Sequence, residues 1–189
     1  LPLIPGIEVV GRTPDGTRVV ALVSSGGYAQ KVTANKAGMI KVPEGVSDED
    51  ALCMLIQGST AWHILKTMGH LKPGESVVVH AAAGGVGVMS IQLAKLWGAK
   101  VIAVASTLEK RELALSLGAD VAIDSNVADL KGAIIEANGG KKVDLVLEMV
   151  GGTTFDQSLA ALAPFGRLVT FGMASRVSPT PVVPVTLKT

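Results

Sequence analysis

Apolar positions along this chain change rhythm near residue 57. Upstream, four short apolar runs (Ile7–Val10, Arg18–Val23, Tyr28–Val32 and Met39–Val42) are broken by Pro5-Gly6, Pro14-Asp15-Gly16, Gly26-Gly27 and Pro43-Glu44-Gly45. Proline pre-sets φ and glycine supplies positive φ, so these breaks read as tight turns between antiparallel strands. Ser47-Asp48-Glu49-Asp50 then has the chemistry of a helix start, leading into apolar positions over Ala51–Ile56 and Ser59–Met68.

Downstream the pattern alternates between strand and helix. Val77-Val78-Val79 and Val101–Ala105 are short β-branched runs, and between them Val86, Met89, Leu93 and Leu96 recur at helical spacing. A helix over Glu109–Leu117 stops at Gly118, a strand follows at Val121–Ile123, and Asp129–Ala137 is a further helix. Val143–Leu147 reads as a strand, Phe155–Leu162 as a helix after a Gly151-Gly152 turn, and Leu168–Gly172 as a fifth strand. This succession predicts an α/β fold, a Rossmann-type doubly wound parallel sheet. A sixth strand is not visible before Thr189. Two domains are expected, one over residues 1–56 and one over 57–189.

Composition supports that picture and narrows the partners. The chain is 48% hydrophobic but only 3% aromatic, so its cores are Ala, Val, Leu and Ile, which suit a sheet buried on both faces. A net charge of +1 argues against nucleic acid as partner and against a polybasic membrane patch. The apolar stretch Val77–Val88 is interrupted by His80 and glycines and is no membrane span. Cys53 is the sole cysteine, so no internal disulfide can form, which fits a reducing, cytoplasmic location.

The chemistry concentrates in the turn Ala82-x-Gly84-x-x-Gly87, which follows the first parallel strand and opens a helix. A helix N-terminus there presents free N–H groups and positive dipole to a pyrophosphate. Gly84 lets backbone approach the phosphates, and Gly87 lets the helix pack close to the strand. An NAD site puts an acidic side chain about twenty residues beyond the motif, on the ribose 2′-OH. Here Ala105-Ser106-Thr107 occupies that place, followed by Lys110 and Arg111 on the next helix. Hydroxyls and one cation accommodate a 2′-phosphate that a carboxylate would repel, which predicts NADP(H). Successive helical residues point about 100° apart, so one of the two cations is expected to face the phosphate. Lys110 is that residue in this reading, with a solvated helix start as the alternative.

These residues carry a resemblance. Pro2-x-x-Pro5-Gly6-x-Glu8-x-x-Gly11, Gly26-Gly27-Tyr28-Ala29, Gly58-Ser59-Thr60-Ala61, Leu71-Lys72-Pro73-Gly74-Glu75 and Ala81–Gly87 are similar, in this order, to the medium-chain dehydrogenase/reductase superfamily. Gly118-Ala119-Asp120, Val150-Gly151-Gly152 and Gly166-Arg167-Leu168-Val169-x-Phe171-Gly172 continue the match across the whole chain. The chain most resembles the zinc-free quinone oxidoreductase, or zeta-crystallin-like, branch, of which it looks like a middle fragment. The resemblance implies part of a small GroES-like β domain ahead of the Rossmann domain, and a homodimer as the full-length protein.

It also implies the chemistry. NADPH would deliver hydride to a quinone or to the β-carbon of an α,β-unsaturated carbonyl, while the protein positions the nicotinamide and excludes water. Gly84, Gly85, Val86 and Gly87 would bind the pyrophosphate, and Ser106 and Lys110 would flank the 2′-phosphate. Thr60, Val150, Phe171 and Gly172 would approach the nicotinamide half, although Val150 and Phe171 serve equally as strand-end core by pattern. No catalytic residue is nominated; Tyr28 matches a position that is usually structural. Two departures loosen the fit: Ser125 stands where the family often has a Tyr, and Met149 where a Ser often follows the fourth strand's acid. Two other readings stay open, an enoyl-thioester reductase of the fatty-acid or polyketide type and a non-catalytic NADPH-binding protein.

Zinc-dependent members have Gly-His-Glu where this chain has Gly6-Ile7-Glu8, and a catalytic zinc needs about three converging protein ligands. One Cys and three scattered His residues (His63, His70 and His80) do not supply that set together with a four-Cys lobe. Each histidine reads as structural or surface. Elemental analysis of the purified protein is expected to find no stoichiometric zinc. About one zinc per chain, with activity lost to chelators, would overturn this.

Overall fold

A computed structural model describes residues 3–182, which divide between two compact units, Leu1–Ser59 and Thr60–Thr189. In the first unit β1 (Glu8–Arg12), β2 (Arg18–Leu22) and β3 (Ile40–Lys41) form an antiparallel sheet in chain order. The β1–β2 hairpin turns at Pro14-Asp15-Gly16. There Gly16 adopts φ 86°, and the Asp15 carboxylate accepts from the Thr13 hydroxyl (2.5 Å) and the Thr17 N–H (3.2 Å). Val20, Val42 and Ala51 make a small core. Helix α1 (Asp48–Cys53) starts as its sequence predicts, with the Ser47 hydroxyl accepting from the Asp50 N–H at 3.0 Å. It then passes into a π-helical turn at Met54–Gly58, so the regular helix expected over Ala51–Ile56 ends early.

The expected strand at Tyr28–Val32 does not form. The Gly27 and Tyr28 N–H groups donate instead to the carbonyls of Gly6 and Pro5, each at 2.9 Å, tying this segment to the loop before β1. The two backbones touch there: a Cβ on Gly27 would lie 2.9 Å from the Gly6 carbonyl carbon. Tyr28 is left 80% exposed.

The boundary between the units falls in the short helix α2 (Ser59–Trp62), and the second unit continues with a π-helical turn at His63–Met68. Five parallel strands follow: β4 (Ser76–His80), β5 (Lys100–Ala105), β6 (Val121–Asp124), β7 (Val143–Glu148) and β8 (Leu162–Thr170). They lie in the order β6-β5-β4-β7-β8, the doubly wound arrangement expected from the alternating pattern. Their connections are α3 (Gly85–Leu96), α4 (Leu108–Ser116), α5 (Leu130–Ala137) and α6 (Gly152–Ala161). Strand side chains alternate between two cores. Val77, Val79, Val101, Ala103, Leu145 and Leu147 pack with Ile91, Ala94 and Ala114 of α3 and α4. Val78, Ile102, Val104 and Val146 pack with Leu130 and Ile134 of α5 and with Ala161 of α6. Burial on both faces is what makes these strands read as unbroken apolar runs.

Two boundaries differ from the sequence pattern. α6 begins at Gly152, because Gly151 and Gly152 take positive φ (81° and 56°) and turn the chain into the helix at once. β8 begins at Leu162, paired with Val143, and an irregularity intervenes before Leu145↔Arg167 restores the register. Phe165, at φ 62° and 80% exposed, sits in that interruption, which is why the apolar pattern resumes only at Leu168. No sixth strand joins this sheet among the described residues. Arg167 of β8 reaches back to Glu75 before β4 with both guanidinium nitrogens, at 2.9 and 2.6 Å. This fork holds the Glu75 carboxyl below its ordinary acidity range.

The tightest approach is at Gly87. A Cβ there would lie 2.5 Å from the Ala82 carbonyl oxygen and 2.6 Å from that of Ala81. Both neighbours are backbone, so α3 would have to move away from the end of β4. Gly87→Ala is expected to destabilise the unit by about 1–3 kcal/mol, the usual cost of overpacking. Gly11→Ala, where nothing lies within 4 Å, is expected to change stability by less than about 0.5 kcal/mol. Equal melting temperatures for the two variants would refute the contact.

Candidate functional site

β4 lies between β5 and β7, and the chain leaves it on one side and returns on the other, so a crevice opens at the carboxyl ends of these strands. A cleft of about 470 Å³ occupies this place. Its floor is the turn after β4, contributed by Ala81, Ala83 and Gly84. Ala81 adopts φ 47°, the Ala82 N–H bonds the Val104 carbonyl (3.1 Å), and the Gly84 N–H bonds back to Ala81 (2.8 Å). Gly84 caps α3 with no side-chain acceptor, leaving the first amides of that 12-residue helix free for a ligand.

The second wall comes from β5 and α4. Val104, Ala105 and Ser106 line it, together with Lys110. Thr107 caps α4 through its hydroxyl, which accepts from the Lys110 N–H at 3.3 Å. Arg111, one residue on, points elsewhere: its Nη1 lies 2.9 Å from Asp124 and donates to the Ala105 carbonyl at 3.3 Å. Of the two neighbouring cations, Lys110 is the one that lines the cleft. Among the described residues it is the cleft's single charged lining group, and no carboxylate lines it.

Ser125 and Asn126 after β6, and Val150 and Thr154 around the β7–α6 turn, complete the walls. That last turn is held by Glu148, fully buried, whose Oε1 accepts from the N–H groups of Val150 (2.8 Å) and Gly151 (3.0 Å). His80, at the end of β4, is 2% exposed, and its Nε2 lies 2.8 Å from the Ser158 hydroxyl of α6. Burial pushes its pKa down to about 4 from an ordinary 6.5. It is therefore neutral near pH 7 and ties β4 to α6.

Of the residues singled out from the sequence, Gly84, Ser106, Lys110 and Val150 share this cleft. Gly85, Val86 and Gly87 follow Gly84 inside α3, where Val86 packs on the first core. Thr60 lies in α2 and does not line the cleft. Phe171 packs against the same core as Val86, and a Cβ on Gly172 would lie 3.3 Å from Met149; neither lines the cleft. Ala83, Asn126 and Thr154 do line it, and the motif did not point to them. The signal was available for Asn126: with β6 beside β5, the turn after β6 must abut Ser106.

The family described as Zinc-binding dehydrogenase matches residues 85–189. A probable quinone oxidoreductase of Schizosaccharomyces pombe is 39% identical over 186 residues, covering 93% of this chain and 56% of that protein. The quinone oxidoreductase of Thermus thermophilus, solved alone and in complex with NADPH, superposes with a TM-score of 0.84 at 41% identity. The match covers 99% of this chain and 58% of that one. The chain belongs to the medium-chain dehydrogenase/reductase superfamily, in its quinone oxidoreductase branch. The chain thus spans a little over half the length of these quinone oxidoreductases. An enoyl reductase is also similar: the CurK enoyl reductase superposes with a TM-score of 0.80 at 31% identity, over 90% of this chain and 54% of its own.

The superfamily's zinc description does not fit the residues present. Among the described residues no three His, Cys, Asp or Glu side chains gather as a metal site needs. Ile7 is half-exposed at the position expected of a histidine ligand, and Cys53 is a lone exposed thiol. No helix among the described residues is long and apolar enough to cross a membrane.

The His80 environment has a pH signature. The unfolded chain binds a proton near pH 6.5 and the folded chain only near 4, so stability falls as pH drops from 6.5 toward 4. The loss approaches roughly 3 kcal/mol, from about 1.4 kcal/mol per pKa unit. Urea midpoints measured across this range are expected to fall in the wild type and to fall less in His80→Gln. Parallel pH profiles would refute it.

Proposed function

We propose that this chain binds NADPH in the cleft between the Gly84 turn and Lys110, and that the full-length protein is a zinc-independent reductase of quinones or α,β-unsaturated carbonyls. The observation that carries the reading is electrostatic: among the described residues one cation and no carboxylate line a cleft whose floor is a free helix N-terminus. The pyrophosphate would sit on the α3 amides, where Gly84 and Gly85 expose the backbone and Gly87 keeps the helix close. Ser106 would donate its hydroxyl and Lys110 its ammonium to the adenosine 2′-phosphate. Val150 would form the wall toward the nicotinamide, with Thr60, Phe171 and Gly172 near that end. The bound cofactor would supply the hydride. The chain's own residues bind, orient and exclude water, and His80, neutral and bonded to Ser158, moves no proton.

The reading carries with it a small-molecule substrate, a cytoplasmic location and a homodimer. A second reading, reduction of enoyl thioesters, is supported by the likeness to the CurK enoyl reductase. NADPH oxidation by the full-length protein, screened across quinones, enones and enoyl thioesters, separates the two. Turnover of thioesters alone would select the second reading, and turnover of nothing would leave a cofactor-binding protein.

The cofactor assignment is tested by titration. A charge-assisted hydrogen bond contributes about 1.5–3 kcal/mol, and each 1.4 kcal/mol is tenfold in affinity. Lys110→Ala is therefore expected to weaken NADPH by about tenfold or more and to leave NADH nearly unchanged. Added salt narrows the wild-type preference, because the contact is exposed. Ser106→Asp is expected to reverse the preference, placing a carboxylate where the phosphate sits. Equal wild-type affinities, or a Lys110→Ala variant weakened equally for both cofactors, would sink the assignment.

A further inference from the structure

Three polar side chains behind the Ser106 wall form a network that cofactor binding as described does not use. Asp124, the last residue of β6, has its Oδ2 2.9 Å from Arg111 Nη1. Its Oδ1 accepts from both the backbone N–H and the side-chain amide of Asn126, each at 2.9 Å. The same amide donates to the Ser106 carbonyl at 3.3 Å, and Arg111 donates to the Ala105 carbonyl. Two of these contacts, to the carbonyls of Ala105 and Ser106, reach the turn that leads from β5 into the helix bearing Lys110.

We propose that Asp124 is a specificity-setting positioning residue. Its carboxylate draws Arg111 away from the 2′-phosphate end of the cleft and clamps Asn126 across Ser106, so that Lys110 alone supplies the cation. This rests on the cleft being an NADPH site. Hydrogen bonding by Asn126, helped by Arg111, holds the Asp124 carboxyl below its ordinary range, so it is charged whenever the protein is at neutral pH. Arg111 lies about 100° around α4 from Lys110, and its Nη1 already donates to the carbonyl of Ala105, a cleft-lining residue, so without Asp124 to hold it the guanidinium is expected to reach the cleft edge. Asp124 thus moderates discrimination: it neutralises a second cation that would otherwise favour the phosphate-bearing cofactor. A role limited to capping the turn would act on both cofactors alike.

Asp124→Asn separates these roles, because its amide oxygen still accepts from the Asn126 N–H while the charge is lost. The Arg111–Asp124 pair is partly exposed (20% and 37% of the side chains), so the effect is that of a screened surface pair. NADPH is expected to bind Asp124→Asn roughly two- to fivefold more tightly than wild type, with NADH unchanged. Adding Arg111→Ala to that variant should abolish the gain. Arg111→Ala alone leaves Asp124 unpaired beside the cleft and should weaken NADPH against NADH by a similar factor. It decides the matter if Asp124→Asn fails to fold. An unchanged ratio of the two dissociation constants in Asp124→Asn, equal weakening of both cofactors, or a gain that survives Arg111→Ala overturns the proposal. Lys110→Ala is the control arm. If it lowers NADPH affinity selectively while Asp124→Asn leaves the ratio alone, only the role of Asp124 fails; if it changes nothing, the cofactor reading fails and the role of Asp124 with it.

Discussion

The contact between α3 and the turn after β4 is the constraint on which the site depends. Position 87 has no room for a single carbon beyond Cα, and the atoms that fill the space are backbone, the carbonyl oxygens of Ala81 and Ala82 and the carbonyl carbon of Ala82. That closeness brings the first turn of α3 down onto the carboxyl edge of the sheet. The free amides of the helix, the bend at Ala81 and the bond from Ala82 to Val104 are then parts of one rigid corner. The flanking strands place the remaining walls, because β5 and β6 end beside that corner in register. A doubly wound sheet provides such a crevice wherever its winding reverses. Gly87 decides how near the helix dipole comes to it.

Charge then gives the crevice its character. The chain carries nearly balanced charge, so no long-range field selects an anion; selection is local. Around the cleft the arrangement is asymmetric by side chain, with Lys110 inside, Arg111 turned to Asp124, and Ser106, Ser125 and Asn126 supplying neutral polarity. Two adjacent cations on one helix therefore have different environments. That difference arises from helical periodicity and from a single carboxylate contributed by the neighbouring strand.

Much of this was legible in the sequence, for reasons that differ by region. The parallel sheet announced itself because strands buried on both faces must be apolar at every position, and the glycine spacing marked the tight corner. The 100° step separated Lys110 from Arg111 without saying which of them faces the cleft; the cleft lining and the Arg111–Asp124 pair distinguish them. The antiparallel unit was less legible: Tyr28–Val32 has a strand's composition, yet the N–H groups of Gly26, Gly27 and Tyr28 at its entry go to the loop before β1, and no local pattern reveals where a partner lies. The early start of β8 was hidden by its interruption at Phe165. Asn126 and Thr154 were missed because they come from the turn after β6 and the first turn of α6, far away in sequence, and only strand order brings them to the cleft. Gly84 and Gly87 are in the motif for the backbone's sake and present no side chain to a ligand.

Arg167 has a consequence for how the second unit comes apart. Its guanidinium bonds the Gly69 carbonyl at 2.8 Å as well as both oxygens of Glu75, so β8, an edge strand among the described residues, is fastened to the chain entering the central strand β4. The fastening spans 92 residues and encloses every crossover of the sheet. An edge strand would ordinarily fray on its own, with its amides exchanging through small local openings. Here releasing β8 at Arg167 also gives up the contacts that hold the entry to β4. The rim of the sheet is thereby tied directly to its centre, which should raise the cost of a local opening at β8.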